Sequence, residues 1–381
     1  MQPKAVLISK PRATNHNGNH RVTADVAGHE VWFESRVFPL PASSEAFGSA
    51  LLIPALYHGT RLRLAQAVCP KWQVGAGAAA RLAGRWWQLP PLLPEAKSLP
   101  APPANKGAGT ALCFTGGLDS FHCLLRGKHR PDLLVFVHGY DIELADEVRL
   151  RAFVPSLEQV AAQSGARAVV VTTNLRAHPL VHATPWIHAH GGALAAIGHL
   201  LSEQAGQLVI ASSVPRTYDI PWGSHWQLDP LWSSGVLTIA HEGDDFSREQ
   251  KAWALANEPL LHHHLRVCWE NRSPTGNCSV CDKCLNAMLL LQQAGQLESC
   301  TVFQKPQSFV RLLDALPQTT FVRVYRAMCQ RGLPPEVESA VQRLLQRTGQ
   351  QARRHTWRKR IRSVFGRMFH RGRSRSSSRE S

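Results

Sequence analysis

Ala111-Leu112-Cys113-Phe114-Thr115-Gly116-Gly117-Leu118-Asp119-Ser120 is the stretch on which the fold turns. An apolar run of strand length ends in two adjacent glycines, and a helix-length segment begins at about Ser120. Glycines at 116 and 117 let the backbone approach an anion with no Cβ in the way. The N–H groups of the first helical turn, with the positive end of the helix dipole behind them, then point at that anion. Thr115 and Ser120 add hydroxyl donors, Leu118 lies within the same loop, and Asp119 can cap the helix or hold magnesium against a phosphate. Two adjacent glycines alone fit a tight turn with a capped helix better than a phosphate cradle, so what surrounds the loop decides.

Downstream, LLVFVHG (133–139), ARAVVVTTN (166–174) and QLVIASS (207–213) are further apolar runs of strand length. Helix-length segments at 120–126, 144–164 and 189–203 separate them. Short runs buried on both faces, alternating with helices, predict an α/β fold: a parallel sheet with helices on both faces. Ligands of such sheets sit at the carboxyl ends of the strands, here 115–117, 138–139, 173–174 and 212–213. The loop therefore follows the first strand of the sheet, where a phosphate cradle belongs, and His138 and Asn174 join it as candidate nucleotide contacts. Upstream, HRVTADVAG (20–28) and HEVWFESRVF (29–38) read as strands. A helix is expected from Ser44 to about His58, capped by Ser43 or Ser44 and stopped by Gly59, and RLRLAQAV (61–68) reads as a third strand.

Thr115-Gly116-Gly117-Leu118-Asp119-Ser120 resembles the Ser-Gly-Gly-x-Asp-Ser loop of the PP-loop ATP pyrophosphatases. That superfamily includes GMP synthetase, asparagine synthetase, tRNA-modifying enzymes and 7-cyano-7-deazaguanine synthase of queuosine biosynthesis. The resemblance implies a five-stranded parallel sheet of the adenine nucleotide alpha hydrolase type, ATP with Mg2+, and release of pyrophosphate as a substrate oxygen is adenylated. It implies roles for Asp119 and Ser120 in catalysis and for residues 115–120 in ATP binding. Thr115 stands where the family usually has serine, which keeps the hydroxyl.

Four of the nine cysteines fall at Cys268, Cys278, Cys281 and Cys284. The two Cys-x2-Cys spacings let a turn and the start of a helix wrap a tetrahedral ion while Cys268 arrives from outside, which is the pattern of a closed structural zinc site. Buried unligated thiols and an iron–sulfur cluster are the competing readings. Downstream of a PP-loop, the quartet looks like that of 7-cyano-7-deazaguanine synthase, and the combined resemblance covers roughly residues 110–295. That family usually has glycine after its second cysteine and arginine soon after its last, whereas this chain has Ser279 and Asn286. Similar proteins with an extra N-terminal domain form a broader, poorly characterised set.

The ring-rich stretch from Pro215 to Trp232 follows the fourth strand and forms either a substrate wall or an ordered, packed loop, with Arg216, His225 and Asp229 as its candidate substrate contacts. Lys251 either reaches a phosphate, as lysines in related enzymes do, or lies on a solvated helix face. His190-Gly191-Gly192 offers a second anion site or close helix packing, and the run 262–264 reads as surface. Gln2 cannot be an N-terminal nucleophile and no cysteine precedes Cys69, so any nitrogen comes from free ammonia or a partner glutaminase.

A composition of 44% apolar and 18% charged residues is globular, and no apolar run is long enough for a membrane span or a secretory signal. Clustered rather than scattered cysteines also argue against a secreted disulfide scaffold, so the expectation is a cytoplasmic protein. From Arg353 onward eleven Lys or Arg face a single acid, Glu380, so the tail holds +10 of the formal +16. Its apolar residues, among them Trp357, Phe365 and Phe369, fall at helical spacing. The tail therefore pairs with tRNA phosphate, lies peripherally on an anionic membrane, or docks on the body.

The expected organisation is a small α+β domain (1–88), a Pro-rich linker (89–109), the ATP-binding domain (110–265), the zinc knuckle with its helix (266–296), a helical extension (297–352) and the basic tail (353–381). The leading functional expectation is an AMP-forming ligase that activates a carboxylate or carbonyl oxygen of a small molecule. A tRNA-modifying enzyme and a non-catalytic nucleotide-binding protein are the alternatives.

Overall fold

The computed structural model describes residues 4–100 and 108–353. Their strands are β1 (Ala5–Ile8), β2 (Arg12–His16), β3 (Asn19–Val26), β4 (His29–Ser35), β5 (Arg61–Leu64), β6 (Thr110–Cys113), β7 (Leu133–His138), β8 (Arg167–Thr173), β9 (Gln207–Ala211) and β10 (Thr238–Glu242). The helices are α1 (Ser44–Tyr57), α2 (Pro70–Trp87), α3 (Leu118–Arg126), α4 (Glu147–Gln163), α5 (Pro179–His182), α6 (Trp186–Leu200), α7 (Arg248–Leu255), α8 (Pro259–His264), α9 (Asp282–Gln293), α10 (Phe309–Ala315) and α11 (Val322–Arg331), with a further helix from 335 to 353.

All ten strands belong to one mixed sheet, ordered β10-β9-β6-β7-β8-β4-β3-β1-β5, with β2 paired to β3. Within it β10, β9, β6, β7 and β8 are mutually parallel. Every residue of β7 is buried, as a strand covered on both faces requires, and its uninterrupted apolar sequence follows from that.

The expected five-stranded sheet is thus corrected to half of a larger one, and the N-terminal strands do not make a sheet of their own. β4 pairs antiparallel with β8, Phe33 opposite Thr173 and Ser35 opposite Val171. Side chains extend the seam. Thr173 Oγ1 donates to Trp32 O at 2.6 Å, Asn174 Oδ1 accepts from Trp32 N at 2.8 Å, and Asn174 Nδ2 donates to Glu30 O at 2.8 Å.

α1 forms where expected, with Ser43 as N-cap. After Glu45 it carries no charge, and all its residues from Ala46 to Leu56 are buried, because a helix apolar all round must be enclosed. α6 packs on it closely. A Cβ on Gly192 would lie 2.3 Å from Ser49 O, and one on Gly191 would lie 1.9 Å from Gly223 O. Both glycines sit inside α6 rather than at its start, so close packing, not an anion site, accounts for them. The linker is extended where it is described: Glu95 and Ser98 bridge to Arg63 and Val68, and Glu95 pairs with Arg61 and Arg63.

The chain divides into two compact units, Met1–Asn277 with Ser299–Val302, and Cys278–Glu298 with the chain from Phe303 onward. The second is helical. Asp282, at the start of α9, accepts from Thr319 Oγ1 at 2.9 Å, Thr320 N at 3.1 Å and Tyr325 Oη at 3.2 Å, which ties α9 to α11. Burial and the Asp282 carboxylate hold the Tyr325 phenol well above its usual range. Among the described residues no helix is long and apolar enough to cross a membrane. The expected basic amphipathic helix, with its RNA or membrane contacts, lies outside the described residues beyond Arg353.

Candidate functional site

The glycine loop leaves β6 at the carboxyl edge of the parallel strands and enters α3 through Gly117, the N-cap residue, with no side-chain cap bond. Gly116 has φ +75°, which favours glycine, and a Cβ there would lie 3.3 Å from both Arg266 Cβ and Phe153 Cε2. Its carbonyl accepts from Arg266 N at 2.7 Å, so the outer side of the loop is fixed by the segment after α8. Gly117 has ordinary extended geometry, and its Cβ would meet little besides Thr115 Oγ1, at 3.4 Å. The backbone N–H groups of Thr115, Gly116, Gly117, Leu118 and Ser120 have no acceptor among the described residues. Leu118 is buried, so its backbone alone can face a ligand. Ser120 Oγ donates to Gly117 O at 3.0 Å, which turns the expected hydroxyl donor inward.

Asp119 does not cap α3. Its Oδ1 lies 3.2 Å from Lys251 Nζ and its Oδ2 lies 3.1 Å from Arg248 NH1. Both cations come from α7, whose first turn is set by a capping box of Ser247 and Gln250. Lys251 is fully buried rather than on a solvated face, and Nζ also donates to Ser212 O at the end of β9. His122 faces the same place. A Cβ on Gly243 would stand 3.4 Å from His122 Nδ1 and 3.5 Å from Lys251 Nζ. Burial and the Lys251 charge push the His122 imidazole below its usual range, and the buried Nδ1 has no partner among the described residues. Arg248 escaped the sequence reading, although its place three residues before Lys251 on one helix face was the available signal.

Two nucleotide candidates sit differently. Asn174 is corrected: its amide is committed to the backbone of β4 at the sheet seam. His138 is at the carboxyl end of β7, next to β6, where burial lowers its pKa and Nε2 lies 3.1 Å from Glu143 O.

The loop after β9 carries the substrate candidates. Arg216 Nε donates to Asp244 Oδ2 at 2.8 Å and its guanidinium lies over the Trp226 ring at 4.8 Å. His225 packs edge-on to Trp86 at 4.8 Å, and burial followed by the neighbouring His241 lowers its pKa. Asp229 is wholly buried, and its Oδ2 accepts from Ser224 Oγ at 2.6 Å and His241 Nδ1 at 2.7 Å, while its Oδ1 has no partner among the described residues. His241, on β10, was not foreseen, although the apolar run from Val236 to Ala240 just before it was an available strand signal. Asp229→Ala strands both donors and is expected to cost about 2–5 kcal/mol, read as a lower urea midpoint at unchanged slope. The run at 262–264 is not a surface feature as a whole: His262 is buried, and Ser156 Oγ lies 2.8 Å from His264 Nδ1.

Cys268, Cys278, Cys281 and Cys284 present their sulfurs within 4.8 Å of one another, a set that can hold a metal ion such as zinc. Four thiolates about 2.3 Å from a tetrahedral ion stand about 3.8 Å apart. Cys278 Sγ and Cys284 Sγ are 3.9 Å apart, so the donors fit. Ser279 takes φ +60°, a left-handed conformation that favours glycine, and its Oγ accepts from Gln304 N at 2.9 Å. Asn286 is fully buried.

Comparison of the chain with family models, with curated proteins and with solved structures finds no match.

Proposed function

We propose that the chain is an ATP-dependent, AMP-forming ligase that activates a carboxylate or carbonyl oxygen of a small molecule and carries a structural zinc at its four cysteines. The observation that carries the reading is the meeting of the glycine loop with Lys251 and Arg248 at the carboxyl edge of parallel strands. Unpaired backbone donors at a helix N-terminus, backed by buried cations, form a place for a polyphosphate. Such donors stabilise charge as it develops without reorganising.

On this reading the substrate oxygen attacks the α-phosphorus of ATP, the bond from that phosphorus to the bridging oxygen breaks, and pyrophosphate leaves with the electron pair. The loop N–H groups, Lys251 and Arg248 hold the departing phosphates. Magnesium, bound beside Asp119, would offset phosphate charge. His138 stands one strand away, at the carboxyl end of β7, and is the candidate contact for the remainder of the nucleotide. Arg216 and His225 would stand on the substrate side, with the buried Asp229–His241 pair behind them, and ammonia or a partner glutaminase supplies any nitrogen.

With α-labelled ATP and a metabolite extract as the source of acceptor, label is expected in AMP and pyrophosphate should accumulate in step with it. Label in ADP would eliminate adenylation.

A further inference from the structure

Burying an ammonium and a guanidinium together costs several kcal/mol per ion unless the charge is balanced, and Lys251 and Arg248, both buried, each contact the Asp119 carboxylate. Two other acids nearby are engaged. Glu242 accepts from the Lys128 backbone N–H and lies 2.9 Å from His129 Nδ1, and Asp244 is bound by Arg216. Glu249, next along α7, projects roughly 100° around the helix axis from Arg248. His122 adds no third positive charge, since burial and the Lys251 charge push its ring toward the neutral form. The two contacts to Asp119 run to separate oxygens at 3.1 and 3.2 Å, longer than the usual ~2.7–2.9 Å of a charge-assisted bond.

The geometry points to Asp119 as an internal competitor of the phosphate it helps to bind, with Arg248 as the second phosphate-binding cation beside Lys251. The inference rests on the nucleotide reading above and adds a regulation to it. A diphosphate group arriving without metal must take Lys251 and Arg248 from the Asp119 carboxylate and then lie against that charge. With a divalent cation between them, the same carboxylate changes sign in its effect and becomes an attachment point. Asp119 therefore makes polyphosphate binding conditional on the cation.

Calorimetric titration of the full chain with pyrophosphate, in magnesium-free buffer and with excess magnesium, tests this. Asp119→Asn should bind metal-free pyrophosphate roughly tenfold more tightly than wild type and gain nothing from magnesium, whereas wild type gains. A gain of affinity cannot come from misfolding. Arg248→Gln should weaken pyrophosphate about 10–100-fold in both buffers, the range for loss of a charged hydrogen bond, and Arg248→Lys should recover part of it. Unchanged or weaker metal-free binding by Asp119→Asn, or unchanged binding by Arg248→Gln in a folded protein, overturns the inference while the nucleotide reading stands. Failure of wild type to bind either pyrophosphate or ATP with magnesium removes both.

Discussion

Cys281→Ser is expected to unfold at a clearly lower temperature than wild type and to carry less than one zinc per chain by elemental analysis. A closed four-thiolate site is folding energy, since a structural zinc contributes an apparent ~10–16 kcal/mol in small peptides and the unfolded chain offers no preformed site. Loss of one thiolate leaves a weaker three-sulfur site, so a loss of about 3–5 kcal/mol is expected. Three of the sulfurs sit where local structure holds them. Cys281 is the N-cap of α9, its backbone N–H donates to Cys278 Sγ at 3.3 Å, and Cys284 lies buried one turn into the helix. Chelator treatment of wild type should reproduce the effect, and added zinc should reverse it. A metal-stripped protein with unchanged melting temperature would leave these cysteines as packing residues.

Three members of that cluster were legible because their information is local: spacings of three residues at a helix start bring Cys278, Cys281 and Cys284 together, and Cys268, ten residues earlier, completes the set. The parallel strands were legible for a related reason. Each strand buried on both faces announces itself as an apolar run, as Leu133–His138 does, and the helix pattern between runs fixes the direction of crossover. The joining of the two sheets was not legible. β4 and β8 meet through residues about 140 positions apart, and Val31, Phe33 and Ser35 would face a core equally well in a separate sheet. The seam is set by Thr173 and Asn174, whose polar side chains at a strand end look from sequence like ligand contacts. β10 was missed although Val236-Leu237-Thr238-Ile239-Ala240 is a short apolar, β-branched run, because it follows the ring-rich loop with no helix-length segment between.

In the candidate site the glycine loop was readable and Lys251 was one of two open readings, but Arg248 was not singled out. Lys251 looks like any helix-surface lysine until α7 is seen to turn it inward toward Ser212 and Asp119. Asp229 was singled out for its place in a ring-rich loop, yet its partner His241 arrives from a strand, and only three-dimensional neighbours could supply it.

The two glycines of the loop should respond oppositely to substitution, and this separates a phosphate cradle from a tight turn. Gly116 works through conformation: at φ +75° a side chain is strained, and its Cβ would press on Arg266 and Phe153, so Gly116→Ala should lower stability by about 1–3 kcal/mol. Gly117 has φ −79° and open surroundings apart from Thr115 Oγ1, so Gly117→Val should cost less than about 1 kcal/mol of stability. Its branched side chain would nevertheless stand among the unpaired N–H groups at the mouth of α3, where a phosphate has to approach the backbone. Wild type should therefore melt higher in ATP with magnesium, by mass action on the native state, while Gly117→Val, folded and nearly as stable, should show no shift at all. A turn that merely connects β6 to α3 predicts the reverse weighting, with Gly117→Val behaving like wild type in ATP, and that outcome would move the nucleotide site elsewhere.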